Sequence, residues 1–394
     1  MTVVNRSPHP PTILWTGAIL DLSGYGAASR EYVRALDAVG VNLSVEARSF
    51  EDWKSRILEN DVLDARLRFL MGRSQDCSTQ VIHLTPDNLL AYRNNGKTRI
   101  CYFAWETSLV PPPWVQAINE TVVEAWVPCE YLVDACVRSG VTVPLAVIPH
   151  AIPVPALDWK PKTKLTLPED RYKFYSIFQW SARKNPVGLI EAYYREFNGG
   201  EPVCLVLKTY KTNASLQEKQ AVRDEITKLK ASTKRSRTPP IILIDDLLGT
   251  DGVFAVHYHC DCYVTMTRSE GFGIPTFEAA SMGKPLIIPN YSAFPEHFDE
   301  DTAYMIDVPG EIPVENMEHI SSLYTDDMSW GDPSIENCRK RMREAFEHRQ
   351  DAQARGEAAR SYVEQNLNHT TIGNLMKRRL QLIGELSNCR SGRR

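Results

Sequence analysis

Two glutamates, Glu270 and Glu278, are separated by seven residues in Arg268-Ser269-Glu270-Gly271-Phe272-Gly273-Ile274-Pro275-Thr276-Phe277-Glu278-Ala279-Ala280-Ser281-Met282-Gly283-Lys284-Pro285. An ionised carboxylate only accepts hydrogen bonds and can hold two vicinal hydroxyls, such as those of a ribose or a hexose. Between the acids, Gly271 and Gly273 allow a tight turn and close approach of backbone to a guest. A helix starting there offers unpaired N–H groups and about half a positive charge, which suits a phosphate. A carboxylate beside a phosphate would repel it, so both acids are expected to face neutral hydroxyls. The plainer alternative has Glu278 capping its own helix and Glu270 in solvent.

The elements that must position these groups follow from the flanking residues. Tyr263-Val264-Thr265-Met266-Thr267 is apolar and β-branched and reads as a short buried strand. Pro275 suits a first helical position, which places Glu278 in the first turn; Gly283 and Pro285 end that helix. Leu286-Ile287-Ile288 reads as the next strand. The result is one βαβ unit with a ligand expected at the strand's carboxyl end.

With these residues in place, the string resembles the donor-site signature of retaining glycosyltransferases of family four, the glycosyl transferases group 1, which have the GT-B fold. Trp180-Ser181-Ala182-Arg183-Lys184-Asn185-Pro186, leading into Gly188-Leu189-Ile190-Glu191-Ala192-Tyr193, resembles that family's first strand–helix junction in the donor domain. Pro202 to Lys208 is similar to its second strand, and Ile148-Pro149-His150 to the end of its acceptor domain. The likeness touches most of residues 12 to 385 and is most specific at 268–285.

The resemblance implies an α/β protein of two Rossmann-like parallel-sheet domains facing each other across a cleft. Residues 1–155 would form the acceptor-side domain, joined by a carboxyl-terminal helix (about 371–394) that crosses back, and 156–370 the nucleotide-sugar domain. It implies a retaining, metal-independent transfer of a hexose-type sugar from a uridine or guanosine diphosphate sugar. The acceptor would be a hydroxyl of a glycan, lipid, small molecule or modified nucleic acid. The nucleotide sugar is a co-substrate, and no other cofactor is expected. Lys184, with Arg183, would hold the diphosphate; Glu278 the ribose; Glu270 and the amides around Gly271, Phe272, Gly273 and Ile274 the sugar and phosphate oxygens. Many members carry an arginine five residues before the lysine; here that residue is Gln179, with Arg183 as the replacement charge. Cations and amide dipoles fixed at a departing diphosphate lower the barrier by about 3 kcal/mol for each well-placed donor. Asp245-Asp246 lacks the Asp-x-Asp spacing of a metal-binding strand end and reads as a loop near the nucleobase.

A second glycine loop follows the strand at 12–17: Gly24-Tyr25-Gly26-Ala27-Ala28-Ser29, with Glu46 farther on. In the family such a loop lies against the donor phosphates. The same string approaches the dinucleotide fingerprint. A nicotinamide-dependent oxidoreductase is therefore an alternative, weakened by Ser29 at the third glycine and the lack of a hydride-transfer site. A non-catalytic sugar-nucleotide-binding protein is another. A GT-B phosphorylase would need a lysine for pyridoxal phosphate, and none stands out. On the acceptor side, Trp105 and Glu106 end a strand beside Pro111-Pro112-Pro113-Trp114, and His150 ends the last strand of the first domain; core packing is the competing role for each.

Strand-like segments at 12–17, 42–46, 80–84, 99–104, 124–127 and 145–149 alternate with helical ones, and Pro149, Pro153 and Pro155 mark a linker. A second set covers 173–178, 203–208, 241–245, 262–267, 285–289 and 303–307. A chain of 394 residues exceeds the usual size of one core, so two domains are expected. Net charge is −4, which excludes a broad nucleic-acid footprint; the basic run Lys228 to Arg237 and the tail Arg390 to Arg394 read first as solvated surface. His257-Tyr258-His259-Cys260-Asp261-Cys262 lacks the second ligand pair of a zinc site. There is no membrane-spanning apolar run, and the start (Asn5 to Pro11) lacks a signal peptide's apolar centre. Nine scattered cysteines argue against a disulfide framework, so a cytoplasmic, reduced protein is expected.

Overall fold

The computed structural model describes residues 13–50, 63–92, 96–212, 214–314 and 323–391, with side chains to 385. Thr12, the start at Asn5 to Pro11 and the basic side chains of the tail fall outside this set.

Six parallel strands form the first sheet: β1 (Ile13–Gly17), β2 (Leu43–Ala47), β3 (Thr79–His83), β4 (Thr98–Tyr102), β5 (Glu124–Val127) and β6 (Leu145–Val147), in the order β2-β1-β3-β4-β5-β6. Six more form the second: β7 (Tyr172–Gln179), β8 (Val203–Tyr210), β9 (Ile241–Ile244), β10 (Cys262–Val264), β11 (Leu286–Pro289) and β12 (Tyr304–Ile306), in the order β12-β11-β10-β7-β8-β9. Near-continuous apolar runs such as Ile13-Leu14-Trp15 and Val203 to Leu207 are buried, as expected where helices cover both faces of a parallel sheet. Strand order reverses between β1 and β3 in one sheet and between β7 and β10 in the other, which opens a crevice at their carboxyl ends.

All twelve expected strands are present, with two differences. β10 stops at Val264 because the Thr267 N–H turns to Thr265 Oγ1 (3.3 Å) and its hydroxyl to Arg183 O (3.3 Å), so the chain leaves the sheet early. An antiparallel hairpin, β13 (Glu311–Pro313) with β14 (Ser329–Gly331), was not expected from the sequence.

The helix His369–Ser391 lies on the helix Gly24–Ala38 of the first domain. A Cβ on Gly373 would stand 2.2 Å from Ala35 O, so the two backbones touch. Lys377 Nζ donates to Val39 O (2.7 Å), His369 Nε2 meets Glu31 Oε2 (2.6 Å), and Arg379 grips both oxygens of Glu124 (2.5 and 2.6 Å). The basic run begins in the helix Leu216–Ser232, which buries only Val222. Arg235 is structural: its Nη1 donates to Phe197 O (2.9 Å) and Tyr194 O, closing the end of the helix Pro186–Glu196. No described helix is long and apolar enough to cross a membrane. The eight described cysteines are buried free thiols.

Candidate functional site

A cleft of about 450 Å³ opens where both reversal points face each other. From the second sheet it is floored by two loops, 180–185 after β7 and 265–273 after β10. They are tied together: the Arg268 N–H donates to Arg183 O (2.8 Å) and Arg268 Nη1 to Ala182 O (2.6 Å). Asn185, left-handed at φ 49°, caps the helix Pro186–Glu196 by accepting from the Gly188 N–H at 3.1 Å. Gly273, at φ 92°, caps the helix Ile274–Ser281 without any side-chain bond. That helix begins at Ile274, so Pro275 is its second residue. Glu278 consequently sits in the second turn, not the first.

Arg183, Lys184 and Glu270 meet in this floor. Lys184 Nζ pairs with Glu270 Oε1, and Arg183 Nη1 donates to Glu270 Oε2 (3.0 Å) and to Ser269 O (2.9 Å). Arg183 Nε stands 3.0 Å from Glu106 Oε1 of the first domain, an ion pair without hydrogen-bond alignment. Burial alone would raise the Glu270 pKa, but Lys184 and Arg183 together outweigh it and hold the carboxyl below its ordinary range. Burial and the Arg183 charge lower the Lys184 pKa against the pull of Glu270, while Glu106 and Glu270 raise that of Arg183 against the cost of burial. Glu270 is thus neither solvated nor free for a sugar; it is the counter-ion of the two cations expected to take the diphosphate.

The amides beside it are different. Among the described residues, no hydrogen bond engages the N–H groups of Phe272 and Gly273, and that of Ile274 heads a helix where no intrahelical acceptor exists. The Phe272 ring is buried and stacks on Phe277 (centroids 4.0 Å apart), so only its backbone is offered. Gly271 is required by the other domain: a Cβ there would lie 3.0 Å from Trp105 O and 3.1 Å from Ala104 Cβ.

Glu278 lines the cleft, its Oε2 3.6 Å from His257 Nε2. That is too long for a hydrogen bond, and burial keeps the imidazole neutral, so Glu278 has no strong partner there. His257 Nδ1 bonds Tyr175 OH (2.9 Å). Among the described residues, no three metal-binding side chains gather. Gln179 ends β7 and faces the cleft, its Nε2 held by Lys211 O at 2.7 Å. Asp245 does not line the cleft; Arg223 and Lys219 bind it on the outer side, and Leu247, Leu248 and Gly249 take the lining place.

From the first domain, Gly24, Tyr25, Glu106 and His150 face the cleft. Tyr25 OH bridges the Ala104 carbonyl (3.0 Å) and N–H (3.1 Å). Gly26 does not reach the cleft: its missing Cβ makes room for Asp21 O, 2.0 Å from where that atom would be. Trp105 points into the core, its indole N–H shared between Thr107 Oγ1 (2.7 Å) and Leu109 O (2.8 Å), its ring against Trp114 and Tyr324. His150 touches Tyr32 OH and lies 4.6 Å from the Phe272 ring; burial drives its pKa well below the usual value, so it is neutral. Glu46 accepts from Thr16 (2.8 Å) and pairs with Arg48 outside the cleft lining, so the ribose-binding acid of the dinucleotide alternative is occupied.

Sequence reasoning missed two cleft cations. Arg30 is buried, with Nη1 on Ile19 O (2.9 Å) and Asp21 O (2.6 Å). Lys208 lies near the end of β8, 5% exposed. A lysine closing the apolar run Val203 to Leu207 was the available signal.

No protein-family model matches the chain. It is 36% identical over 59 residues to ORF313 of Acidianus filamentous virus 1, a candidate glycosyltransferase; the match spans 15% of this chain and 19% of that protein. Two solved structures share the whole architecture at low identity. Alr3699/HepE from Anabaena, in complex with UDP-glucose, superposes with a TM-score of 0.66 at 12% identity, over 94% of this chain and 99% of that one. Sucrose-phosphate synthase from Thermosynechococcus elongatus gives 0.68 at 11% identity, over 95% and 100%. The fold is GT-B: two Rossmann-like α/β domains across a cleft.

Proposed function

We propose that the protein is a glycosyltransferase that holds a uridine or guanosine diphosphate sugar in this cleft and passes a hexose-type sugar to a hydroxyl acceptor. One observation carries the reading: Arg183 and Lys184 converge with amides that have no internal acceptor, at the point where strand order reverses. Such a constellation fits a diphosphate in charge and in donors. The Anabaena neighbour was solved with UDP-glucose, which makes that donor the first to try.

In this reading the diphosphate competes with Glu270 for Lys184 and Arg183. As it docks, Glu270 is released to accept from sugar hydroxyls, and Glu278, without a strong partner of its own, takes the ribose. During transfer the cations and amides stabilise charge growing on the leaving diphosphate, so the neutralising role belongs to the protein rather than to a metal. Glu106, Tyr25 and neutral His150 face the transferred sugar and the acceptor. Anomeric configuration is retained, with the acceptor entering on the leaving-group face.

The test is nucleoside diphosphate release from a panel of nucleotide sugars, with glycan, lipid, small-molecule and hydroxylated nucleic-acid acceptors, with and without chelator. One donor should be turned over, chelation should leave the rate unchanged, and Lys184→Ala should lower it by about 10²–10³-fold. Tight donor binding without release would instead identify a non-catalytic sensor, and loss of activity on chelation would refute the metal-free step.

A further inference from the structure

Lys208 is the one cationic side chain lining the cleft that has neither an ion pair nor a hydrogen bond among the described residues; its ammonium only lies 5.4 Å from the Tyr210 ring centroid. It is more than nine-tenths buried. Its place in the sheet limits what it can meet. The orphan amides follow β10 and the cation pair follows β7, while Lys208 stands on β8, one strand farther along. At about 4.8 Å per strand, β8 runs roughly 10 Å from β10. Ile177 of β7 stands beside Lys208 in the sheet register, and Leu247, Leu248 and Val253, with Tyr210 and Gln179, line the same cleft. Apolar walls do not suit a second phosphate, whose burial there would be costly. They suit a flat heteroaromatic ring about one ribose away from the diphosphate.

We propose that Lys208 reads the base of the nucleotide, selecting keto bases (uracil or guanine) over amino bases (cytosine or adenine). This rests on the donor site proposed above. A lysine ammonium has three donors and no acceptor. Uracil O4 and guanine O6 are acceptors, whereas cytosine and adenine place N–H₂ donors at the same edge. An ammonium facing those donors, itself buried, leaves both groups unsatisfied. Burial pushes the Lys208 pKa down to about 8; Asp245 and Asp246 beyond β9 pull it up and Lys219 pulls it down. With Tyr210 on its own strand, these are the titratable groups around it. The donating form therefore prevails at pH 7 and is lost as pH rises through about 8.

Dissociation constants of UDP, GDP, CDP and ADP should be measured for the wild type and for Lys208→Met, with thermal melts confirming that the variant folds. The wild type should bind UDP or GDP about ten- to a hundredfold more tightly than CDP and ADP. That preference should vanish in Lys208→Met and shrink between pH 7 and 9 in the wild type. Equal weakening of all four ligands in the variant would overturn the proposal in favour of a phosphate contact. A preference that survives Lys208→Met, or wild-type binding of CDP and ADP as tight as UDP, would also overturn it. All three outcomes leave the diphosphate site standing. Binding of none of the four would instead remove the donor site itself, and this inference with it.

Discussion

Glu270 faces two cations at once, and that decides what its removal does. Glu270→Gln leaves Arg183 and Lys184 adjacent in a buried site with one acidic neighbour, Glu106, in place of two. Breaking a buried pair in this way costs about 3–5 kcal/mol, toward the lower end here because Lys184, its pKa already lowered, can shed its proton. Since the folded pKa of Glu270 lies below 4.5, its contribution is complete above that pH and is lost as pH falls through the folded value. The stability gap between wild type and Glu270→Gln, followed by urea unfolding, should therefore be widest near neutral pH and close in acid. A gap independent of pH would show that the pair is not ionised as described. Residue types announced an anion site beside carboxylates, but nothing in the string 268–285 shows that Glu270 would turn to Arg183. That pairing is made by the second sheet, which brings β7 and β10 side by side across 86 and 87 positions of chain.

At the level of elements, the close approach of the carboxyl-terminal helix requires one missing side chain, at Gly373. Gly373→Ala would drive a Cβ into the Ala35 carbonyl, a backbone atom that cannot move aside. The helix must shift away from Gly24–Ala38, straining Lys377–Val39 and Glu31–His369, at about 1–3 kcal/mol. Urea unfolding should show a lower midpoint with an unchanged slope; an unchanged midpoint would mean that the helices are not in backbone contact. The strands themselves were legible because a parallel sheet buried on both faces needs unbroken β-branched and apolar runs, and such runs stand out in Val203 to Leu207 or Leu286 to Ile288. The hairpin of β13 and β14 was not, since three-residue strands with the exposed Glu311 and Pro313 show no period to read. Gly26, in a glycine loop after a strand, and Trp105, at a strand's end, were expected at the site from their places in the chain. Only packing shows that one makes room for Asp21 O and the other fills a core.

Over the whole molecule, the cleft is set by how firmly the two domains hold each other. Ser108 and Ser329 exchange hydrogen bonds of 3.0 and 2.9 Å, Tyr131 OH meets Tyr291 OH at 3.2 Å, and Cys129 Sγ donates to Gly271 O at 3.2 Å. The most telling contact is Glu296, which accepts from the N–H groups of Glu130 (2.8 Å) and Tyr131 (2.9 Å). Cys129 provides no side-chain cap to the helix Glu130–Arg138, so a residue of the second domain caps a helix of the first. A cap of this kind contributes about 1 kcal/mol, and here all of it favours the closed arrangement. Glu296→Ala should therefore shift any open–closed equilibrium toward the open form by about fivefold. Small-angle scattering should show a larger radius of gyration for the variant without nucleotide and recovery of the wild-type value at saturating ligand, because a ligand that bridges both walls restores closure. Wild-type dimensions in both states would mean that the Glu296 cap is redundant and that the remaining cross-domain contacts alone fix the geometry at Glu106 and Arg183.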